Sequence, residues 1–360
     1  MDNVDVVNRA LQTFGKRTTI TSAQLTGNLN NEAKQANLIL EPTRRQLLRM
    51  APWNCGMKFA NLVYITSAPG TPENSSSVSA WAPGIPAPPW VYEYQYPVDC
   101  LKPTWIVPMT ATGATIDGVP IYPVGVTTGL MAMTLQGPMI RFKVATDEFV
   151  PVTSAVVAAG GTGYVVGDRI TLAETPSGSA PIGAPAVLQV ATLAGSAVAT
   201  VSVVSQVLGA SPAQGGSYFA QQTNPVAQSS TTGSGTGATF TLTYGTKATQ
   251  RVILTNQQDP ILAYIKDQTD LNVMDDLFVE AWTNILGAKL SFALTGDKAL
   301  ANQKIALANQ AIDQARAADG NEGPVVDDRT PDWIRVRGYS GDQLYNTGMG
   351  YDWGPLWPSL

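Results

Sequence analysis

The stretch EPTRRQLLRMAPWNCGMKFANL, residues 41–62, carries the chain from one kind of secondary structure into another. Its apolar residues keep helical spacing, and Arg44, Arg45 and Arg49 crowd the same turns. The Pro-Trp pair at 52–53 then interrupts the pattern. The pattern predicts a helix that ends at this pair and leads into extended chain. The arginines either form a functional site or only stabilise the fold where the chain turns.

Composition limits the functions that this chain can have. The 360 residues suffice for about two domains, yet only 14% are charged and the net charge is −5, so nothing favours nucleic-acid binding. The chain contains no histidine, which excludes histidine-based triads and metal sites. Its two cysteines, Cys55 and Cys100, favour free thiols over a disulfide framework or a zinc site. We therefore expect that the chain is not an enzyme and that it binds no metal and no cofactor.

Patterns along the chain predict helices in front, strands in the middle and helices again at the rear. Residues 1–62 have helical spacing, with Asn30 or Asn31 as a cap and Pro42 as either a kink or the first turn of a new helix. The stretch WVYEYQYPVDCLKPTWIV alternates, which predicts a half-buried strand with tyrosines on one face and Glu93 and Gln95 on the other.

Residues 150–246 differ sharply in composition from the rest. They carry only three charged residues and consist of β-branched runs separated by glycine-rich turns. Such a pattern predicts an all-β sandwich or barrel-like module. Glycine-rich GSGTGA at 233–238 is a turn into a strand and lacks the helix that a dinucleotide fingerprint requires.

Charges return from residue 247 onward. Two strands joined by a polar turn are followed by a helix that starts near Asp275 and Asp276 and ends at Gly296, and then by a long alanine-rich helix. Asp267 and Asp270 extend this acidic run, which could hold a cation but is explained more simply by the start of a helix. The last forty residues combine aromatic residues and arginines without any period.

The predicted fold class is therefore α+β, with a helical-bundle core domain and a short β part, interrupted by an inserted all-β, sandwich-like domain and followed by an extended C-terminal arm. The boundaries are 1–149 for the first half of the core, 150–246 for the inserted domain, 247–320 for the second half and 321–360 for the arm.

The arm and the arginine-rich helix are the predicted partner-binding segments, because Trp, Tyr and Arg anchor protein interfaces. For the helix, ion pairs with acidic neighbours are the competing interpretation. For the arm, docking onto its own domain competes. The candidate residues are Arg44, Arg45, Arg49, Trp333, Arg335, Arg337, Tyr339, Tyr345, Tyr351, Trp353 and Trp357.

Several segments together resemble a known family. Five segments occur in the order typical of the tail tubular protein A family, the head-to-tail adaptors or connectors of short-tailed bacteriophages. They are VNRALQTFGKRTTITS, the helix ending in R-x-x-P-W-N, WVYEYQYPVDCLKP, YIKDQTD with its following helix, and RVRGY. The resemblance covers roughly residues 1–110 and 250–340. The module at 150–246 departs from the shortest members of the family.

The resemblance implies a structural virion protein at the head–tail junction, made in the host cytoplasm. Members form a ring, typically of twelve copies, that binds the portal protein and continues the DNA channel. The implied partners are further copies of the chain, the portal, a tubular protein B-like nozzle subunit and tail fibres. No membrane is expected, and DNA passes without specific binding.

The alternative function is an attachment module whose β domain recognises a fibre partner or a surface glycan. Glycan stacking would need several aromatic side chains on one exposed face. The module offers Tyr164, Tyr218, Phe219, Phe240 and Tyr244.

Overall fold

The computed structural model describes residues 1–15, 19–72, 74, 84–108, 115–116, 119–120, 140–173 and 183–320. Within these ranges the chain forms five α-helices and a short 3₁₀ turn at Asn54–Gly56. The helices are α1 (Asn3–Gln12), α2 (Ser22–Gly27), α3 (Asn31–Met50), α4 (Asp276–Thr295) and α5 (Lys298–Gly320). The arm at 321–360 lies outside the described residues.

The strands of the same ranges form three antiparallel sheets. The smallest pairs β5 (Thr115–Ile116) with β6 (Val119–Pro120). A three-stranded sheet consists of β1 (Met57–Asn61), β4 (Cys100–Pro108) and β16 (Pro260–Lys266), with β16 in the centre. The third sheet has eleven strands: β2 (Tyr64–Ser67), β3 (Tyr92–Gln95), β7 (Phe142–Thr162), β8 (Arg169–Leu172), β9 (Gly183–Ala184), β10 (Val187–Ala194), β11 (Ala197–Val203), β12 (Gly215–Tyr218), β13 (Val226–Thr231), β14 (Thr236–Tyr244) and β15 (Ala248–Thr255).

Strand β7 connects the two parts of the eleven-stranded sheet. It is 21 residues long; residues 142–149 pair with β15 and residues 152–162 pair with β14. On one side the sheet continues from β15 to β3 and β2, and on the other from β14 through β13, β8 and β10 to β11. Strands before and after residue 150 therefore belong to one sheet.

The predicted fold class, with its helical-bundle core, short β part and inserted sandwich-like domain, is wrong. The described chain is mostly β, and its helices do not form a bundle at the core. The composition changes near residue 150, after Asp147 and Glu148, but the strand does not end there, because its backbone hydrogen bonds pass from β15 to β14. The change in composition reflects the environment of the side chains, whereas the end of a strand is set by its backbone hydrogen bonds.

The far end of the eleven-stranded sheet curls, so that its edge strand β11 approaches β7. A Cβ on Gly160 of β7 would lie 2.6 Å from the carbonyl oxygen of Val198 in β11. Real Cβ atoms do not come this close to backbone, so this approach requires glycine. The curled strands enclose a cluster of buried side chains that includes Val190, Val198 and Phe240.

Replacing Gly160 with alanine should lower the free energy of unfolding by about 1–3 kcal/mol, because the added methyl group pushes β11 away from β7. The control is Val156→Thr in the same strand, where the side chain is 65% exposed and a change within about 0.5 kcal/mol is expected. Urea unfolding of both variants measures the difference. Equal midpoints for Gly160→Ala and the native protein would contradict the close approach.

Strand β3 differs from its prediction as a half-buried strand. Its tyrosines, Tyr92 and Tyr94, pack in a buried cluster, but Glu93 and Gln95 on the opposite face are buried as well. The second face is covered in part by β12, since Nε2 of Gln95 donates to Oγ of Ser217 at 3.1 Å. The strand is therefore buried on both faces, and its polar residues are part of the interior.

Other local predictions are confirmed. The side chain of Asn30 accepts a hydrogen bond from the Ala33 amide at the start of α3. Gly296 ends α4 in the left-handed conformation, with φ +70°. Pro42, for which two interpretations were open, lies inside the single helix α3.

The chain divides into two compact units, Met1–Leu40 with Met109–Met139 and Met274–Leu360, and Glu41–Pro108 with Ile140–Val273. In the first unit α4 packs against α1 and α5. Gly287 of α4 permits the first contact, because a Cβ there would lie 2.3 Å from Oγ1 of Thr13. The second unit contains the eleven-stranded and three-stranded sheets. The predicted domain boundaries stay predictions.

Candidate functional site

The three arginines of residues 41–62 have different surroundings. The side chain of Arg44 is only 1% exposed, whereas that of Arg45 is 45% exposed and Arg49 is an exposed residue. The structure thus places Arg44 in the interior of the second unit and leaves Arg45 and Arg49 accessible. The other eight predicted partner-binding residues, from Trp333 to Trp357, lie outside the described residues.

Arg44 is paired with groups of its own chain. Its guanidinium donates to Oε2 of Glu41 and to the backbone carbonyl of Gln268. Its Nη1 also lies 2.8 Å from Oδ1 of Asp267, at the distance of an ion pair but without the alignment of a hydrogen bond. A buried guanidinium needs such partners, because an unpaired charge is costly to remove from water.

Asp267 joins α3 to the end of β16. Its side chain is 7% exposed, and its Oδ2 lies 2.8 Å from Nη2 of Arg45 while Oδ1 faces Arg44. One carboxylate therefore serves two consecutive arginines. The connection spans most of the chain, since Arg44 and Gln268 are 224 positions apart.

Trp53 fixes the turn that follows α3. Its side chain is 1% exposed, and its Nε1 donates to the backbone carbonyl of Leu47 at 2.8 Å. This bond satisfies a carbonyl of the last helical turn, which lacks a helical partner of its own. Pro52 and Trp53 therefore act as a structural stop, and the 3₁₀ turn and β1 follow directly.

Lys58, close to the arginines in sequence, is also paired within the chain. Its Nζ lies 2.7 Å from Oδ2 of Asp99, and the hydroxyl of Tyr264 donates to Oδ1 of Asp99 at 2.7 Å. Burial by itself would raise the pKa of Asp99, but the hydrogen bonds from Lys58 and Tyr264 outweigh it and leave the pKa below its ordinary value. These contacts link β1 and β16 to Asp99, the residue that directly precedes β4.

A cavity of about 400 Å³ in the second unit, called here the arginine cavity, is lined by Arg45 and Arg251. The guanidinium carbon of Arg251 lies 5.3 Å from the ring centre of Tyr96, within the range of a cation–π contact. None of the residues that line this cavity carries a carboxylate. Arg45 was a predicted partner-binding residue, whereas Arg251 was missed because it occurs singly in a strand.

A second cavity of about 420 Å³, called here the Glu93 cavity, is lined by Glu93, Asp147, Glu148 and Lys247. Glu93 is 3% exposed, and its Oε1 has no hydrogen-bond partner in the described part of the chain. Burial, with a further contribution from the negative charge of Asp147, raises the pKa of Glu93 to about 8. Glu93 is therefore mostly protonated at neutral pH in the folded protein.

The acidic run at 267–276 serves structure in the described chain. Asp275 caps α4 by accepting from the Leu277 amide at 3.1 Å, which confirms the interpretation as a helix start for that residue. Asp270 accepts from the Asn272 amide, and Asp267 pairs with the arginines. Within the described ranges, no group of three or more His, Cys, Asp or Glu residues could hold a metal ion.

The aromatic residues of the β module are mainly interior. Tyr164, Tyr218 and Phe240 are at most 3% exposed and belong to one buried cluster. Phe219 and Tyr244 are half-buried, and their rings pack against Phe149 and Tyr218. These five side chains therefore form no exposed platform on which a sugar could stack.

No protein-family model matches the sequence, and no curated protein matches it either. None of the described helices has the length and the apolar character needed to cross a membrane.

Proposed function

We propose that this chain is a structural protein of a short-tailed bacteriophage virion, a head-to-tail adaptor that forms a ring between the portal and the tail nozzle. The ring continues the DNA channel and offers a platform for tail fibres, and the chain catalyses no reaction. Its partners are further copies of itself, the portal, a tubular protein B-like nozzle subunit and tail fibres.

The contact between Arg44 and Asp267 carries the proposal. The resemblance rests most on two segments, the helix that ends in R-x-x-P-W-N and the later YIKDQTD. Arg44 lies in the first and Asp267 in the second, and their side chains are buried against each other. The two segments that carry most of the resemblance are therefore in contact in the fold, although they lie far apart in the sequence.

The charge of the chain suits a DNA channel. A protein with a net charge of −5 and no histidine offers little excess of cations to hold phosphates as DNA slides past. The accessible Arg45 and Arg49, with the aromatic residues and arginines of the arm, are the proposed contacts with the portal or a neighbouring subunit.

Native mass spectrometry and negative-stain electron microscopy of the full-length chain test the proposal. We expect a closed ring, either of the chain alone or together with the portal protein of the same phage. A chain that stays monomeric under both conditions would contradict the proposal.

Attachment through a glycan is the weaker candidate, because the aromatic side chains of the β module are interior. Deleting residues 151–246 would not isolate the role of the module, since the deletion removes half of β7 and breaks a shared sheet. Substitution of its exposed Val165 and Val166 is the sharper test of a fibre contact.

A further inference from the structure

We propose that the arginine cavity binds a carboxylate side chain in an acidic segment of a partner protein. The inference does not rest on the adaptor proposal, because the cavity lies within one chain and its lining residues are all described.

Arg251 supplies a positive charge that no carboxylate of the described residues opposes. It is an exposed residue, and none of the ion pairs found among the described residues includes it. The guanidinium carbon lies 5.3 Å from the centre of the Tyr96 ring, and Tyr96 also takes a side-chain hydrogen bond from Arg251. An arginine has five N–H donors, so this neighbour holds the guanidinium in place and leaves further donors for a ligand. A planar guanidinium presented edge-on matches the two oxygens of a carboxylate.

Arg45 supplies a second guanidinium at the same cavity. One of its nitrogens contacts Asp267, while an arginine has five N–H donors in all. Asp267 and Glu41 offset the charges of Arg44 and Arg45, so the charge of Arg251 remains for a ligand. The ligand that complements the cavity is therefore an anion.

The walls of the cavity are held in place by hydrogen bonds. Nε2 of Gln206 donates to Oε1 of Gln95 at 3.2 Å, and Oγ of Ser217 donates to Oε1 of Gln250 at 2.7 Å. Because Gln206 is bonded to Gln95 and Gln250 to Ser217, these side chains fix the shape of the cavity. A site with fixed walls loses less conformational entropy when a ligand binds.

The apolar rim of the cavity favours an acidic peptide over other anions. Val98 and Leu208 line the cavity with side chains that are 38% and 43% exposed. An acidic peptide with an apolar residue next to its carboxylate would cover them. Nucleic acid is bound instead along grooves with a row of cations, and free phosphate would leave the apolar rim open to water.

The test uses the full-length protein and two capped peptides, Ala-Leu-Glu-Leu-Ala and its counterpart with glutamine in place of glutamate. The Nε–Hε signals of the arginines are followed by NMR up to millimolar peptide and are assigned with Arg45→Gln and Arg251→Gln. We expect the glutamate peptide alone to shift the signals of Arg45 and Arg251. In Arg251→Gln the affinity should fall about tenfold.

Arg169→Gln is the matched control, because Arg169 is an exposed strand arginine that does not line the cavity. It should bind like the native protein. Arg45→Gln should also weaken binding, which keeps the test valid if Arg251→Gln does not fold. The proposal is overturned if neither arginine signal shifts, if both peptides act alike, or if inorganic phosphate or a DNA duplex competes as well as the glutamate peptide.

Discussion

Replacing Arg44 with methionine is expected to lower the free energy of unfolding by about 3–5 kcal/mol, the range for breaking a buried ion pair from one side. The substitution keeps much of the volume of the side chain but leaves Asp267 at 7% exposure without its buried partner. It also removes the donor to the carbonyl of Gln268. Urea unfolding measures the change.

Arg49→Met is the control for this prediction, because it makes the same substitution in the same helix at an exposed residue. It should change stability by no more than about 0.5 kcal/mol. The double variant Arg44→Met with Asp267→Leu removes both charges and should recover part of the loss. Equal unfolding midpoints for Arg44→Met and Arg49→Met would refute the buried ion pair.

The stability of the native protein should fall as the pH rises from about 5 to 8, by about 1.4 kcal/mol per pH unit from Glu93. The pKa of Glu93 is raised to about 8 in the folded state, whereas an unfolded glutamate titrates near its ordinary value of about 4.3. Between these values the folded state holds a proton that the unfolded state has released, so rising pH favours unfolding. Because the chain has no histidine, few other groups titrate in this window.

Glu93→Gln should abolish this slope, since the amide stays neutral in both states. The variant should be more stable than the native protein from about pH 5 upward, by a margin that stops growing near the folded pKa of about 8. The control is Glu148→Gln, which changes an exposed carboxylate at the same cavity and should keep the native slope. Unfolding midpoints in urea across the pH range measure both. A native protein whose stability is constant from about pH 5 to 8 would show that Glu93 titrates normally.

Local elements could be predicted from the sequence because their signals are local. The cap at Asn30, the stop at Gly296 and the two successive strands before α4 depend on residues within a few positions of each other. The fold class could not, because it depends on whether β7 continues past residue 150. That continuity comes from pairing with two different strands that follow much later in the chain.

The candidate site was predictable only in part. The sequence singled out Arg44, Arg45 and Asp267, but not their contact. The arginines precede all strands of the eleven-stranded sheet in the sequence, and Asp267 follows them all. Glu93 has the pattern of a solvated strand face, but it is buried, and residues from elsewhere in the chain, such as Ile85 and Phe219, line the same cavity. Burial of a strand on both faces depends on tertiary contacts that alternation within the strand cannot report.

Cryo-electron microscopy of virions that carry this chain tests the central claim most directly. We expect a closed ring between the capsid portal and the tail nozzle, with density in each subunit that fits the eleven-stranded sheet and the Arg44–Asp267 corner of the second unit. Particles in which the junction lacks this subunit, or in which it is found only at the fibres, would contradict the adaptor function.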